Sequence, residues 1–183
     1  MSRSTRCRSP CCAIRRSATR CAPAARIPDL LIDFYIGAIN AALVGRPKGM
    51  TVGLHMCRGN FRGKWLAEGS YEPVAARVFG ETAVDQFFLE FDSPRAGDFT
   101  PLRFVAPGKG VVLGLICSKT PVLESLDGLR RRIDEAAKYV PLDRLAVSPQ
   151  CGFASAVTGN PVTEDDQTRK LGLVVELARK VWP

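Results

Sequence analysis

The sequence predicts an α/β fold built on a parallel sheet, and three observations carry that expectation. Short apolar runs of strand length near Thr51, Val84, Val111 and Leu145 alternate with segments of helical period. The second run holds Phe87-Phe88-Leu89 with no polar break, the pattern of a parallel strand covered on both faces. No hairpin signal joins consecutive runs, so the connections read as crossovers.

Taken in order, residues 28–43 place Leu30, Leu31, Phe34, Ile36, Ile39, Ala42 and Leu43 at helical spacing, and Gly45 with Pro47 ends that helix. The first strand runs through Thr51, Val52 and Leu54 into His55-Met56-Cys57. A loop over 59–70 contains Trp65, and residues 71–79 read as a short helix with Pro73 in its first turn. The second strand, 84–91, ends in Glu90-Phe91-Asp92-Ser93. After a connection over 98–104 and a turn at Pro107-Gly108-Lys109-Gly110, the third strand, 111–116, leads into Cys117-Ser118-Lys119. Residues 125–140 form an amphipathic helix whose Arg130, Arg131 and Arg132 belong to its wet face. The fourth strand, 145–147, ends in Ser148-Pro149-Gln150-Cys151-Gly152-Phe153. Asn160-Pro161 interrupts the chain, Thr163 and Asp166 resemble a capping box, and a final helix reaches Val181.

A net charge of +8 suggests a nucleic-acid partner until it is mapped. Arg3, Arg6, Arg8, Arg15, Arg16, Arg20 and Arg26 stand in a stretch without an acidic residue, and the remaining chain is close to neutral. A nucleic-acid-binding domain spreads its basic residues over a folded face, so that class is excluded. The same stretch holds Cys7, Cys11, Cys12 and Cys21 and has no apolar period, so residues 1–26 read as a disordered leader and 27–183 as the domain. Three readings of the leader compete: an organelle transit peptide, a cluster of metal-binding cysteines, and residues foreign to the domain from a displaced reading start. The last is preferred. No apolar run is long enough to span a bilayer. A cytoplasmic location is expected, with the cysteines as thiols or metal ligands.

In a parallel β/α fold every strand finishes on the same face, so side chains at successive strand ends converge. Those ends carry His55, the only histidine, with Cys57, then Glu90, Cys117 and Cys151. Residues two apart on an extended backbone point to one side, so His55 and Cys57 can reach one ion. Imidazole, thiolate and carboxylate are the donors zinc takes in a tetrahedral shell. The bland alternative is a set of buried cysteines beside a solvated glutamate. Cys117 reads as a buried thiol near the site, and Trp65 and Phe153 as core packing, with pocket lining as the alternative.

His55-Met56-Cys57-Arg58-Gly59-Asn60, Phe88-Leu89-Glu90-Phe91-Asp92-Ser93 and Ser148-Pro149-Gln150-Cys151-Gly152-Phe153 together carry a resemblance. From about Asp29 to Trp182 the chain resembles the C-terminal catalytic domain of the cobalamin-independent methionine synthase family, particularly its short single-barrel members. The resemblance implies a (β/α)8 TIM-barrel type of which about the C-terminal half is present. It implies Zn2+ held by His55, Cys57, Glu90 and Cys151, and transfer of a methyl group from 5-methyltetrahydrofolate to homocysteine, giving methionine. Short relatives can use another methyl donor or another thiol. Where full-length members carry His-Ser-Pro, this chain has Cys117-Ser118-Lys119, and strands with an Asp-Glu-Pro segment would precede Ile27. Three readings follow: a thiol methyltransferase, a zinc-binding half-barrel completed by another chain, and an inactive remnant. Arg58 and Arg95 are candidates for contacting a substrate carboxylate.

Overall fold

The computed structural model describes residues 26–183, and the readings made of the leader and its four cysteines lie outside the described residues. The chain runs α1 (Arg26–Ala42), β1 (Gly53–Met56), α2 (Glu72–Glu81), β2 (Gln86–Glu90), β3 (Gly110–Ile116), α3 (Leu126–Ala136), β4 (Leu145–Pro149) and α4 (Glu164–Val181). Single 3-10 turns lie at Pro94–Ala96, Thr100–Phe104 and Leu142–Arg144. The four strands form one sheet in the order β1-β2-β3-β4, every pair parallel. The α/β fold with a parallel sheet is thus the observed architecture.

Local chemistry sets the element ends. Ser125 Oγ accepts from Gly128 N (3.1 Å) to start α3, and Thr163 with Asp166 makes the reciprocal capping box of α4. The Lys109 ammonium donates to the carbonyls of Phe79 (3.2 Å) and Thr82 at the C-terminus of α2, where the helix dipole favours a cation. Ahead of β2, the Asp85 carboxylate takes both Arg46 nitrogens, at 2.6 and 2.9 Å, and Val52 N at 2.7 Å, so it ties the entry of β1 to that of β2.

Register decides what each side of the sheet faces. Alternate residues point to opposite sides, so Phe87, Leu89, Val111 and Leu113 share the side covered by helices. There they pack with Ala75 and Phe79 of α2, Ile133 of α3 and Leu177 of α4. The opposite side carries the layer His55, Phe88, Val112 and Ala146, and above it Glu90, Gly114 and Ser148. Phe88 is 37% exposed on that side. The expectation that the second strand is covered on both faces is therefore corrected: among the described residues helices pack on one face only.

The expected apolar face of α1 is corrected in the same way. Ile36 is buried, but Leu30, Leu31 and Phe34 face solvent, Phe34 at 67% exposure. The helix packs on α2 and on the side of the edge strand β1, and its far side meets no described element.

Candidate metal centre

His55 lies inside β1 and Cys57 one residue past its end, so both side chains leave the same side of the strand. Cys151 follows β4 by two residues and sits in the left-handed region at φ 57°, a conformation rare for a residue with a Cβ. His55 Nε2 and Cys151 Sγ are 3.8 Å apart, and the donor atoms of His55, Cys57 and Cys151 all lie within 4.8 Å of one another. Zinc–sulfur and zinc–nitrogen bonds in a tetrahedral shell separate the ligand atoms by roughly 3.5–3.8 Å. The His55–Cys151 separation matches that spacing, and the other pairs lie within reach of it by small side-chain adjustments.

Their meeting is not a trivial result of the topology, because β1 and β4 are opposite edges of the sheet. Three inter-strand spacings amount to roughly 14 Å. Past the end of β4 the chain turns inward: Gln150 N donates to Ile116 O (2.7 Å), and the Gln150 side chain lies over β3. Gly114 makes this possible, since a Cβ there would stand 2.5 Å from Gln150 Oε1 and 2.9 Å from Leu89 O. The Gln150 amide then donates to Cys151 Sγ (3.0 Å) and to Glu90 Oε2 (3.3 Å). Gln150 thus links the end of β4 across β3 to Glu90 of β2, and Glu90 in turn accepts from Arg58 N beyond the end of β1.

Glu90 is fully buried and stands outside the three-residue group. Its Oε2 also accepts from Arg58 N at 2.5 Å, and its Oε1 is 3.5 Å from both Lys119 Nζ and Arg95 NH2. The Tyr71 hydroxyl accepts from Glu90 N (2.8 Å) and donates to Met56 O (2.7 Å), locking the ends of β1 and β2 together. Burial holds that phenol well above its ordinary range.

Electrostatics around the sulfurs favour the neutral thiol in the metal-free protein. Burial, then the nearby Cys57, pushes the Cys151 thiol up to about 12. Cys117 is also raised, first by burial and then by Asp92. Burial by itself would raise Asp92, but the Lys119 ammonium at 2.9 Å outweighs it and holds the carboxyl below its usual range.

Of the residues expected from sequence, the fold brings His55, Cys57 and Cys151 together and keeps Glu90 one hydrogen-bonded side chain away. Cys117 does not join the group. Arg58 as a substrate contact is corrected: it is 7% exposed, donates to Gly69 O and stacks on Tyr71, its centre 3.8 Å from the ring centroid. Trp65 is corrected from core packing to a half-exposed ring under Arg95, while Phe153 lines a cavity beside His55 and Cys151. Gln150, Lys119 and Tyr71 were missed as contributors. The first two stand inside motifs singled out above, but polar residues beside a ligand carry no signal of which way they point.

Four parallel strands with a nitrogen and sulfur donor group at their C-terminal ends define an α/β domain with a candidate metal centre. Residues 38–180 match the cobalamin-independent synthase catalytic domain, and the chain belongs to that family. It is 48% identical over 156 residues to the uncharacterized protein YxjG of Bacillus subtilis (strain 168), covering 85% of this chain and 41% of that one. A methionine synthase of Pyrococcus abyssi is 30% identical over 122 residues, 67% of this chain and 32% of that one. Among solved structures, a putative vitamin-B12-independent methionine synthase of Listeria monocytogenes superposes with a TM-score of 0.64 at 34% identity, covering 89% of this chain and 45% of that one. A B12-independent methionine synthase of Shewanella sp. W3-18-1, at 22% identity, shares the fold with a TM-score of 0.67, covering 84% and 44%. The chain spans less than half the length of these relatives.

Proposed function

We propose that residues 27–183 are the zinc-bearing part of a thiol methyltransferase that moves a methyl group from a methylated folate to homocysteine, giving methionine, in the cytoplasm. The observation that carries this is the convergence of His55, Cys57 and Cys151 from opposite sheet edges. Two thiols and an imidazole within 4.8 Å are a donor set that zinc takes. Glu90 is the fourth ligand in this reading, joined to Cys151 through the Gln150 amide.

Zinc bound there would supply a thiolate at neutral pH and hold it for in-line attack on the methyl group. The chain's own residues do the positioning. His55 offers a nitrogen from a rigid strand, and Gln150 fixes the Cys151 sulfur through its amide. Tyr71 holds the strand ends in register. A cavity of about 280 Å³, lined in part by His55, Phe88, Gly114, Cys151 and Phe153, opens beside the donors and suits a short alkyl thiol.

A second reading is favoured by the open sheet face. Phe88 is exposed and both edge strands lack a strand partner among the described residues, so the domain would act together with further β/α units, in one chain or from another. The test is zinc per chain by elemental analysis in the purified protein and in Cys151→Ser, followed by a methyl-transfer assay with homocysteine and 5-methyltetrahydrofolate. About one zinc, lost in the variant, with activity supports the first reading. Zinc without activity supports the second. No zinc in the folded parent overturns both and leaves an inactive remnant.

A further inference from the structure

Behind the cysteines lies a closed ring of four charges. Lys119 Nζ is 2.9 Å from Asp92 and 3.5 Å from Glu90, and Arg95 NH2 is 3.4 Å from Asp92 and 3.5 Å from Glu90. The Glu90 and Asp92 side chains are fully buried, Lys119 is 3% exposed and Arg95 18%. Two cations are thus shared between two carboxylates. Each cation lies nearer to Asp92 than to Glu90.

We infer that Asp92 is a positioning residue of the metal centre: it competes with Glu90 for Lys119 and Arg95, and so frees the Glu90 carboxylate for a divalent ion bound at His55, Cys57 and Cys151. This rests on the zinc reading above. As the ring stands its charges cancel. When Glu90 turns toward an ion, a buried cation left without an anion would oppose the move strongly, because an uncompensated buried charge is far costlier than a paired one. Asp92 keeps both cations partnered throughout. Lys119 and Arg95 less Asp92 then leave one net positive charge, which offsets the one surplus negative charge of two thiolates and a carboxylate around a doubly charged ion.

The arrangement makes opposite demands on neighbours that a scaffolding role would treat alike. In Asp92→Asn the two cations fall to Glu90 alone and hold it away from the ion. In Lys119→Met Glu90 loses a competitor, and in the double variant the balance returns. The experiment measures zinc affinity of the full chain by competition with a chromophoric chelator, with the ligand-field spectrum of the cobalt-loaded protein as a second readout. Thermal melts of each variant check folding.

Asp92→Asn is expected to weaken zinc binding by roughly 10–100-fold, the usual effect of losing a group that orients a ligand. Its cobalt spectrum should lose the carboxylate contribution. Lys119→Met should bind at least as tightly as the parent, and the double variant should recover most of the loss. Equal weakening in both single variants, or an unchanged Asp92→Asn, overturns the proposal. If Asp92→Asn fails to fold, a Lys119→Met protein that binds zinc more weakly than the parent also overturns it. A parent that binds no zinc refutes the reading beneath it, a result distinct from a zinc-binding parent with an indifferent Asp92→Asn.

Discussion

Replacing Gly114 by alanine tests how the end of β4 is linked across β3 to Glu90 of β2. The added Cβ would stand 2.5 Å from Gln150 Oε1, 2.9 Å from Leu89 O and 3.6 Å from Gln150 Cα. The glutamine side chain can swing away, but Leu89 O belongs to the backbone of β2, which is hydrogen-bonded to β3 along its length. Relief therefore needs either a sheet distortion or loss of the Gln150 contacts to Cys151 Sγ and Glu90 Oε2. Overpacking of this kind costs about 1–3 kcal/mol. For a domain of this size that corresponds to a fall in Tm of roughly 2–12 °C. Calorimetry of the metal-free protein reads the stability, and zinc affinity by chelator competition reads the site. A variant with unchanged Tm and unchanged zinc affinity would refute the claim that the missing side chain lets Gln150 reach across β3 to Glu90.

Alkaline pH should destabilise the metal-free protein. The Cys151 thiol is held up to about 12 in the fold against about 8.5 in the unfolded chain, so the native state binds a proton that the unfolded state has released. Its stabilisation is complete below about pH 8.5 and is lost as pH rises toward 12; Tyr71, raised by burial, acts in the same direction from its ordinary value near 10. Melts of chelator-treated protein at about pH 8 and 10.5 should show the fall, and zinc should reduce it, because ligating thiolates are already deprotonated. Thr163→Ala removes the hydroxyl that accepts from Asp166 N and donates to Asp166 Oδ2, leaving only the backbone half of the α4 capping box, at a cost of about 1 kcal/mol read by urea titration. Lys170 is fully buried and bonds Glu124 at 3.1 and 3.3 Å as well as Val122 O. Lys170→Met should cost about 1–3 kcal/mol by leaving those acceptors without it, and Glu124→Gln should cost less than Lys170→Met.

The sheet was legible because its signals are local. Period-3.6 and apolar-run patterns place α2, α3, α4 and the four strands within a few residues of their observed bounds, and Thr163 with Asp166 announces its own helix start. Strand-end chemistry was legible for a similar reason: parallel strands finish on one face whatever their packing, so His55, Cys57 and Cys151 are candidates from their positions alone. What covers each face was not legible. Phe88 and Phe34 read as core because apolarity says that a residue can be buried, while its exposure depends on which elements pack against it. Nor does a sequence give distances between side chains. Only the tertiary structure showed that Gln150 reaches across β3 because Gly114 lacks a side chain, that Arg58 turns inward onto Tyr71, and that Glu90 is shared among Arg58, Gln150, Lys119 and Arg95. The physical reason is one of range. Backbone propensity and side-chain periodicity act over a few residues, whereas Glu90 and Gln150 stand sixty residues apart and meet only because the sheet brings their strands together.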